Sequence, residues 1–243
     1  MLPRYSLIIP AYNEERLLGR LLDSVDAARA TYGGGDAVEL IVADNASTDR
    51  TAVIAATRGC RVVAVEKRVI AAARNAGARA ARGEFLAFVD ADAQVHPDTF
   101  VEIDRALADP RVVAGATGAR LERWSIGIAF TYAMIVPIVF VTGMDTGVTF
   151  CRKEDFEAIG GYDESRLYAE DLLFLIALRR LGKTRGQRLT RLPQVKALGC
   201  TRKFDQFGDW HYFWMLGHVF KSLLTGNWND EQLAERYWYN SGR

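Results

Sequence analysis

Phe85-Leu86-Ala87-Phe88-Val89 is an unbroken apolar run that stops abruptly on Asp90-Ala91-Asp92. Apolar residues without polar alternation describe a strand buried on both faces, as in a parallel sheet covered by helices. Carboxylates belong at the end of such a strand, and in an open α/β sheet the carboxyl ends of the strands form the crevice where ligands bind. Asp90 and Asp92 therefore stand where a metal and a phosphate can meet them. Hard oxygen donors suit Mg²⁺ or Mn²⁺, which keep several waters and take further ligands from a substrate's phosphates. A solvated turn, or a cap on the next helix, would use the same residues.

The preceding chain repeats this pattern. Tyr5 to Pro10 is a short apolar strand, after which Leu17, Leu18, Leu21, Leu22 and Val25 recur at helical spacing. In the loop between them Asn13 is a candidate cap for the helix, and Glu14 and Glu15 suit its positive end. Tyr12 can stack on a nucleobase or pack over the first helix. Val38 to Ala43 is a second buried strand, ending in Asp44-Asn45-Ala46-Ser47-Thr48-Asp49. The Ser-Thr-Asp cluster supplies cap chemistry for a helix through Thr51 to Thr57, which leaves Asp44 free for a ligand. Cys60 to Val65 reads as a third strand. An Ala-rich helix from Ile70 to Ala81 carries Arg74, Asn75 and Gly77, and its small residues allow close approach to a sheet. Alternating strands and helices of this kind predict a nucleotide-binding α/β half. Pro97 and Asp98 open a further helix, and Val112 to Ala116 resumes an extended segment.

Ile126 to Met144 has no charged residue. Its length suggests a transmembrane helix, but a single crossing would put Asp92 and Glu170-Asp171 on opposite sides of a bilayer. The reading is a buried element, or one lying on a membrane surface, and a candidate wall of an acceptor pocket. Gly147 to Cys151 follows as a strand and Lys153 to Ile159 as a short helix stopped by Gly160-Gly161. Glu170-Asp171 opens an amphipathic helix ending at Leu181-Gly182. Acids there suit the helix dipole, and they also make a candidate general base. From Arg179 to Lys203 there are nine Lys or Arg and no acid, a run that can be a solvated face or can meet phosphate or anionic lipid. The aromatic tail from Trp210 to Leu224 is apolar around much of its circumference. It would serve as a dimer surface or a membrane contact.

The formal net charge of +1 gives no global electrostatic case for nucleic acid. Cys60, Cys151 and Cys200 are odd in number and far apart, which fits neither a disulfide framework nor a zinc site. They point to a reducing compartment. With no hydrophobic signal region at Met1-Leu2-Pro3-Arg4, the expected location is cytoplasmic, peripheral at the inner face of the cell membrane.

Five stretches occur together in order: Leu7-Ile8-Ile9-Pro10-Ala11-Tyr12-Asn13-Glu14, Asp44 to Asp49, Ala73-Arg74-Asn75-Ala76-Gly77, Asp90-Ala91-Asp92, and Gly160-Gly161-Tyr162-Asp163-Glu164 through Glu170-Asp171. In this arrangement the chain resembles a family 2 glycosyltransferase of the GT-A fold. The resemblance implies an α/β nucleotide-diphospho-sugar transferase fold, a mixed, mostly parallel sheet flanked by helices. It implies one domain over 1–243, with a nucleotide-sugar-binding half at 1–115, an acceptor and catalytic half at 116–205 and a helical tail at 206–243. It further implies transfer of one sugar, with inversion, from a nucleoside-diphosphate sugar (a UDP-sugar favoured) to a hydroxyl acceptor, with Mn²⁺ or Mg²⁺ as cofactor. The uncharged Ile126 to Met144 run and the nearby excess of basic residues point to an acceptor that is lipid-linked or membrane-proximal.

Carried over position by position, Pro10, Ala11, Tyr12 and Glu14 would line the nucleoside pocket and Asp44 would accept a hydrogen bond from the base. Arg74 would lie near the nucleotide, Asp90 by the ribose and sugar, and Asp92 would hold the metal. Asp171 would take the acceptor's proton, ahead of Glu170, and Arg202 would reach the diphosphate. Ala93 stands where many relatives have a further acid, and the Gln/Arg-x-x-Arg-Trp motif of processive polysaccharide synthases is missing. The alternatives are a nucleotidyltransferase on a similar sheet, against which the acidic rather than Gly-rich loop after the first strand argues, and a non-catalytic nucleotide-binding or scaffold protein.

Overall fold

Consecutive apolar side chains in the central strands point to opposite faces of one sheet, and helices cover both. The computed structural model describes residues 2–167, 169–211, 213 and 217. In chain order the elements are β1 (Tyr5–Ala11), α1 (Leu18–Thr31), β2 (Val38–Asp44), α2 (Thr51–Thr57), β3 (Arg61–Ala64), α3 (Ile70–Ala80), β4 (Phe85–Phe88), α4 (Thr99–Leu107) and β5 (Val112–Ala116). They continue with β6 (Ala119–Leu121), α5 (Ile126–Thr142), β7 (Thr149–Arg152), α6 (Lys153–Ala158), α7 (Glu170–Thr184), β8 (Arg188–Arg191), β9 (Ala197–Gly199) and α8 (Arg202–Phe207).

The main sheet runs β3-β2-β1-β4-β7-β5-β8, and β6 with β9 forms a small parallel pair. Within the main sheet β7 runs antiparallel to both its neighbours, and the other pairings are parallel. This is the expected mixed, mostly parallel α/β sheet. Leu7, Ile9, Phe85 and Ala87 pack with α1 and α4 on one face, while Ile8, Leu86 and Phe88 pack with α3 and α7 on the other. That alternation aims position 90 at the α3/α7 face. From β1 the chain moves outward to β2 and β3, then returns through α3 to β4 on the other side of β1. The order therefore reverses between β1 and β4, where ligands of open α/β sheets bind.

Helix α3 lies close to the sheet because it has almost no side chain to hold it away. A Cβ on Gly77 would collide with Cγ2 of Ile8 in β1. Ala71, Ala72, Ala73 and Ala78 are buried beside it.

The structure departs from the sequence reading at several places. Asn13 does not cap α1: its backbone is left-handed (φ 52°), and its Oδ1 instead accepts from the Thr48 N–H at 2.8 Å. The local cap lost to a cross-loop bond joining the first two strand-end loops. Helix α7 runs on to Thr184. The basic run from Arg179 contains β8, β9 and the start of α8. Its arginines answer acids elsewhere, Arg185 with Asp155, Arg188 with Asp109 and Arg191 with Asp145.

The expected burial of Ile126 to Met144 is only partly met. Ile128 and Thr131 are buried, but Ile126, Phe130, Met134 and Val136 are exposed, because one helix at the side of a domain can bury only one stripe and this one is apolar all round. No described helix is long and apolar enough to cross a membrane. The expectation for the aromatic tail falls mostly outside the described residues; within it Trp210 and Phe213 are exposed and His211 is buried.

Gly77→Val should lower stability by about 2 kcal/mol, because overpacking against Ile8 and a poorer helix former act in the same direction. Urea unfolding checks this.

Candidate active site

Arg74 is the centre of the crevice. It projects from α3 with only 3% of its side chain exposed, and its guanidinium reaches three carboxylates that come from two other elements. Nη2 donates to Asp90 just beyond β4 at 2.8 Å, and Nη1 donates to Glu170 at 2.9 Å and to Asp171 at the start of α7. Burial disfavours its charge, but Asp171, Asp90 and Glu170 outweigh that and hold its pKa well above the ordinary value. The guanidinium also lies 5.2 Å from the centre of the Tyr162 ring.

Within this cluster the carboxylates are not equivalent. Glu170 is 11% exposed and Asp171 30%. Enclosure, with the repulsion of Glu170 and Asp90, pushes the Asp171 carboxyl up to about 7 against the pull of Arg74. Asp171 is the more accessible of the adjacent pair.

Asn75 and Tyr162 position the start of α7. Asn75 Nδ2 donates to the Tyr162 carbonyl at 2.9 Å, and its Oδ1 accepts from the Tyr162 N–H at 2.9 Å. The same Nδ2 donates to Glu164 at 3.0 Å. Gly161 (φ 76°) makes room for the clamp, since a Cβ there would fall 2.7 Å from Asn75 Oδ1. Tyr162 stacks on Phe174 of α7 with ring centres 4.1 Å apart. Sequence reasoning assigned Asn75, Tyr162 and Glu164 no role. The available signal was that they fall in the same short motifs as Arg74 and the Gly-Gly turn.

The donor side is built from strand-end loops. Pro10 and Ala11 are buried at the tip of β1, and Ala11 lies in register with Asp44. Asp44 is half-buried and accepts from the Ser47 N–H at 3.4 Å. The Tyr12 ring has the Arg68 guanidinium 4.3 Å from its centre. The Glu14 N–H donates to Thr51 Oγ1 at 2.7 Å, and Asp49, two residues before the start of α2, accepts from the Thr51 N–H at 2.9 Å. These bonds lace the two loops into one rim.

Arg202 closes the crevice from the far end of the chain. Its guanidinium forks onto Glu14 at 2.9 and 3.0 Å and donates to Asp92 at 3.2 Å. The Glu14 carboxylate is therefore engaged by Arg202, which makes it an anchor for that arginine. Enclosure, then Asp90 and Glu14, push the Asp92 carboxyl upward. A divalent cation fits this donor set, which is hard oxygen whose negative charge is crowded by two further carboxylates. Among the described residues no group of three or more His, Cys, Asp or Glu could hold a metal ion.

The profile of Glycosyl transferase family 2 matches residues 6–126. The putative glycosyltransferase EpsH of Bacillus subtilis is 31% identical over 112 residues, 44% of this chain and 31% of that protein. The undecaprenyl-phosphate 4-deoxy-4-formamido-L-arabinose transferase of Pseudomonas paraeruginosa is 36% identical over 118 residues, 46% of this chain and 34% of that protein. The matched segment thus spans about a third of each of these relatives. Among solved structures, the mannosyltransferase PcManGT of Pyrobaculum calidifontis, in complex with GDP-Man and Mn²⁺, superimposes with a TM-score of 0.65 at 26% identity. That alignment covers 82% of this chain and 57% of that one.

Arg74→Met should cost about 3 kcal/mol in urea unfolding, since it leaves partly buried carboxylates facing one another without a counter-charge. Arg74→Lys should recover only part of this, because one ammonium lacks the fork that spans α3, β4 and α7.

Proposed function

From the premise that the chain belongs to glycosyl transferase family 2, we propose that it transfers one sugar, with inversion, from a nucleoside-diphosphate sugar to a hydroxyl acceptor. The observation that carries this reading is that one guanidinium, Arg74, holds Asp90, Glu170 and Asp171 together at the strand end, with Asp171 the more exposed of the adjacent pair. The acceptor oxygen attacks the anomeric carbon, its proton passes to Asp171, and the bond from that carbon to the diphosphate oxygen breaks. The nucleoside diphosphate leaves with the electron pair. A carboxylate with a pKa near the working pH accepts that proton effectively.

Arg74 orients Asp171 and Asp90 together, and Glu170 contributes by raising the basicity of its neighbour. Pro10, Ala11, Tyr12 and Asp44 form the wall for the nucleoside, with a UDP-sugar as the favoured donor. Asp92 would hold Mn²⁺ or Mg²⁺, which when bound supplies positive charge to offset the departing diphosphate. Arg202, already beside Asp92, is placed to turn its guanidinium to the phosphates. The polyprenyl phosphate in the name of the Pseudomonas relative supports an acceptor carried on lipid, while the proton transfer to Asp171 applies to a hydroxyl acceptor.

Asp171→Asn should reduce kcat by about a hundredfold or more while leaving nucleotide binding intact. The ionised carboxylate is the active form, so kcat/KM for the native protein should increase with pH and level off above about 7. The variant should lose that inflection; an unchanged rate and pH profile would remove Asp171 as the base. Thermal unfolding with UDP and Mn²⁺ should show metal-dependent stabilisation that Asp92→Asn abolishes. If neither UDP nor other nucleoside diphosphates stabilise the native protein at saturating concentration, the donor reading falls.

A further inference from the structure

Helix α5 presents to solvent a face with no charged or hydrogen-bonding side chain. Ile126, Phe130 and Met134 recur every fourth residue on it, 80%, 53% and 41% exposed, and Val136 extends the strip. Contiguous apolar surface of this kind marks an interaction site on a soluble domain. Aromatic rings with polar edges stand at its margin. Trp124 is 59% exposed and lies 4.8 Å, centre to centre, from Tyr132, whose hydroxyl donates to the Ala119 carbonyl at 3.2 Å. Trp210, also exposed, lies 6.0 Å from Phe130. Such rings favour the boundary between hydrocarbon and water.

Charge indicates what covers this face. The small β6/β9 sheet, to which Tyr132 is tied, carries Arg120 and, one residue before β9, Lys196, both exposed. Among the described residues neither has an ion-pair partner, whereas Arg123 beside them is answered by Asp205 and Asp209. A second copy of the chain packed on this face about a two-fold axis would bring the same cations to the same seam. Anionic headgroups would instead neutralise them.

We propose that the exposed face of α5, with Trp124 and Trp210 at its rim and Arg120 and Lys196 beside it, seats on an anionic bilayer surface. The helix lies along the bilayer, its apolar strip in the headgroup boundary. The seat connects to the crevice through α8, whose Asp205 holds Arg123 next to Trp124 and whose Arg202 touches Glu14 and Asp92. Its use is to bring an acceptor carried in the bilayer to the mouth of the crevice, a role that rests on the transfer reading above; the seat itself does not.

Flotation of the full chain with vesicles of phosphatidylcholine alone, and of phosphatidylcholine with phosphatidylglycerol, tests this at low salt. The native protein should float with the anionic vesicles. Phe130→Ser/Met134→Ser should weaken that binding by about tenfold or more through lost apolar burial. Arg120→Glu/Lys196→Glu should weaken it by at least about tenfold, and only on anionic vesicles. Circular dichroism and nucleotide-dependent thermal stabilisation, measured without vesicles, should be unchanged in both variants, which separates a lost surface from a lost fold or donor site. No flotation of the native protein, or equal flotation of the apolar variant, would overturn the seat. A concentration-dependent dimer that disappears in Phe130→Ser/Met134→Ser would also overturn it, assigning the face to a second copy. If the native protein floats but no nucleotide stabilises it, the seat stands and the transfer reading fails.

Discussion

One buried guanidinium decides whether the crevice exists as a unit. Arg74 is anchored in a helix that the sheet holds closely, and from there it joins the tip of β4 to the start of α7, elements separated by roughly eighty residues of chain. A buried cation must be paired, and here it is paired with more negative charge than it can neutralise. Burial first, and then the repulsion of Glu170 and Asp90, lift the Asp171 carboxyl above its ordinary range.

Arg202 plays a comparable part on the other side. Glu14 sits in the loop after β1 and Asp92 in the loop after β4, the two strands between which the sheet order reverses. Closing them with a residue from the C-terminal end of the described chain gives the crevice a roof that the first four strands could not supply. The roof is polar, a guanidinium between two carboxylates. The aromatic packing of Tyr162, Phe156, Phe174 and Phe88 beneath Arg74 is by contrast fixed and apolar.

Much of this was legible in residue order. Continuous apolar runs ending in acids specify buried parallel strands with ligands at their tips, and the helical spacing between them specifies crossovers. The strands at Tyr5, Val38, Cys60 and Phe85, the Ala-rich helix and the helix opening at Glu170 are all found where those patterns place them. Local rules failed where a residue had a distant partner. Asn13 has the chemistry of a cap, yet Thr48 claims its side chain. The basic stretch after Arg179 reads as a solvated face, and Arg185 and Arg188 are indeed exposed, but the sequence did not show that its arginines pair with Asp155, Asp109 and Asp145 from elements distant in the chain.

What the sequence by itself determined is therefore the architecture and the list of polar groups at the strand ends, because periodicity and buried-strand composition are local properties. Which of those groups touch was decided only by the tertiary structure. No spacing rule reveals that Arg74 bridges Asp90 to Asp171, that Asn75 grips the backbone of Tyr162, or that Arg202 returns to Glu14 and Asp92. Nor could the sequence say which stripe of α5 would be left in solvent. That depends on where the domain ends, and a helix apolar on all sides carries no pattern that marks its outer face.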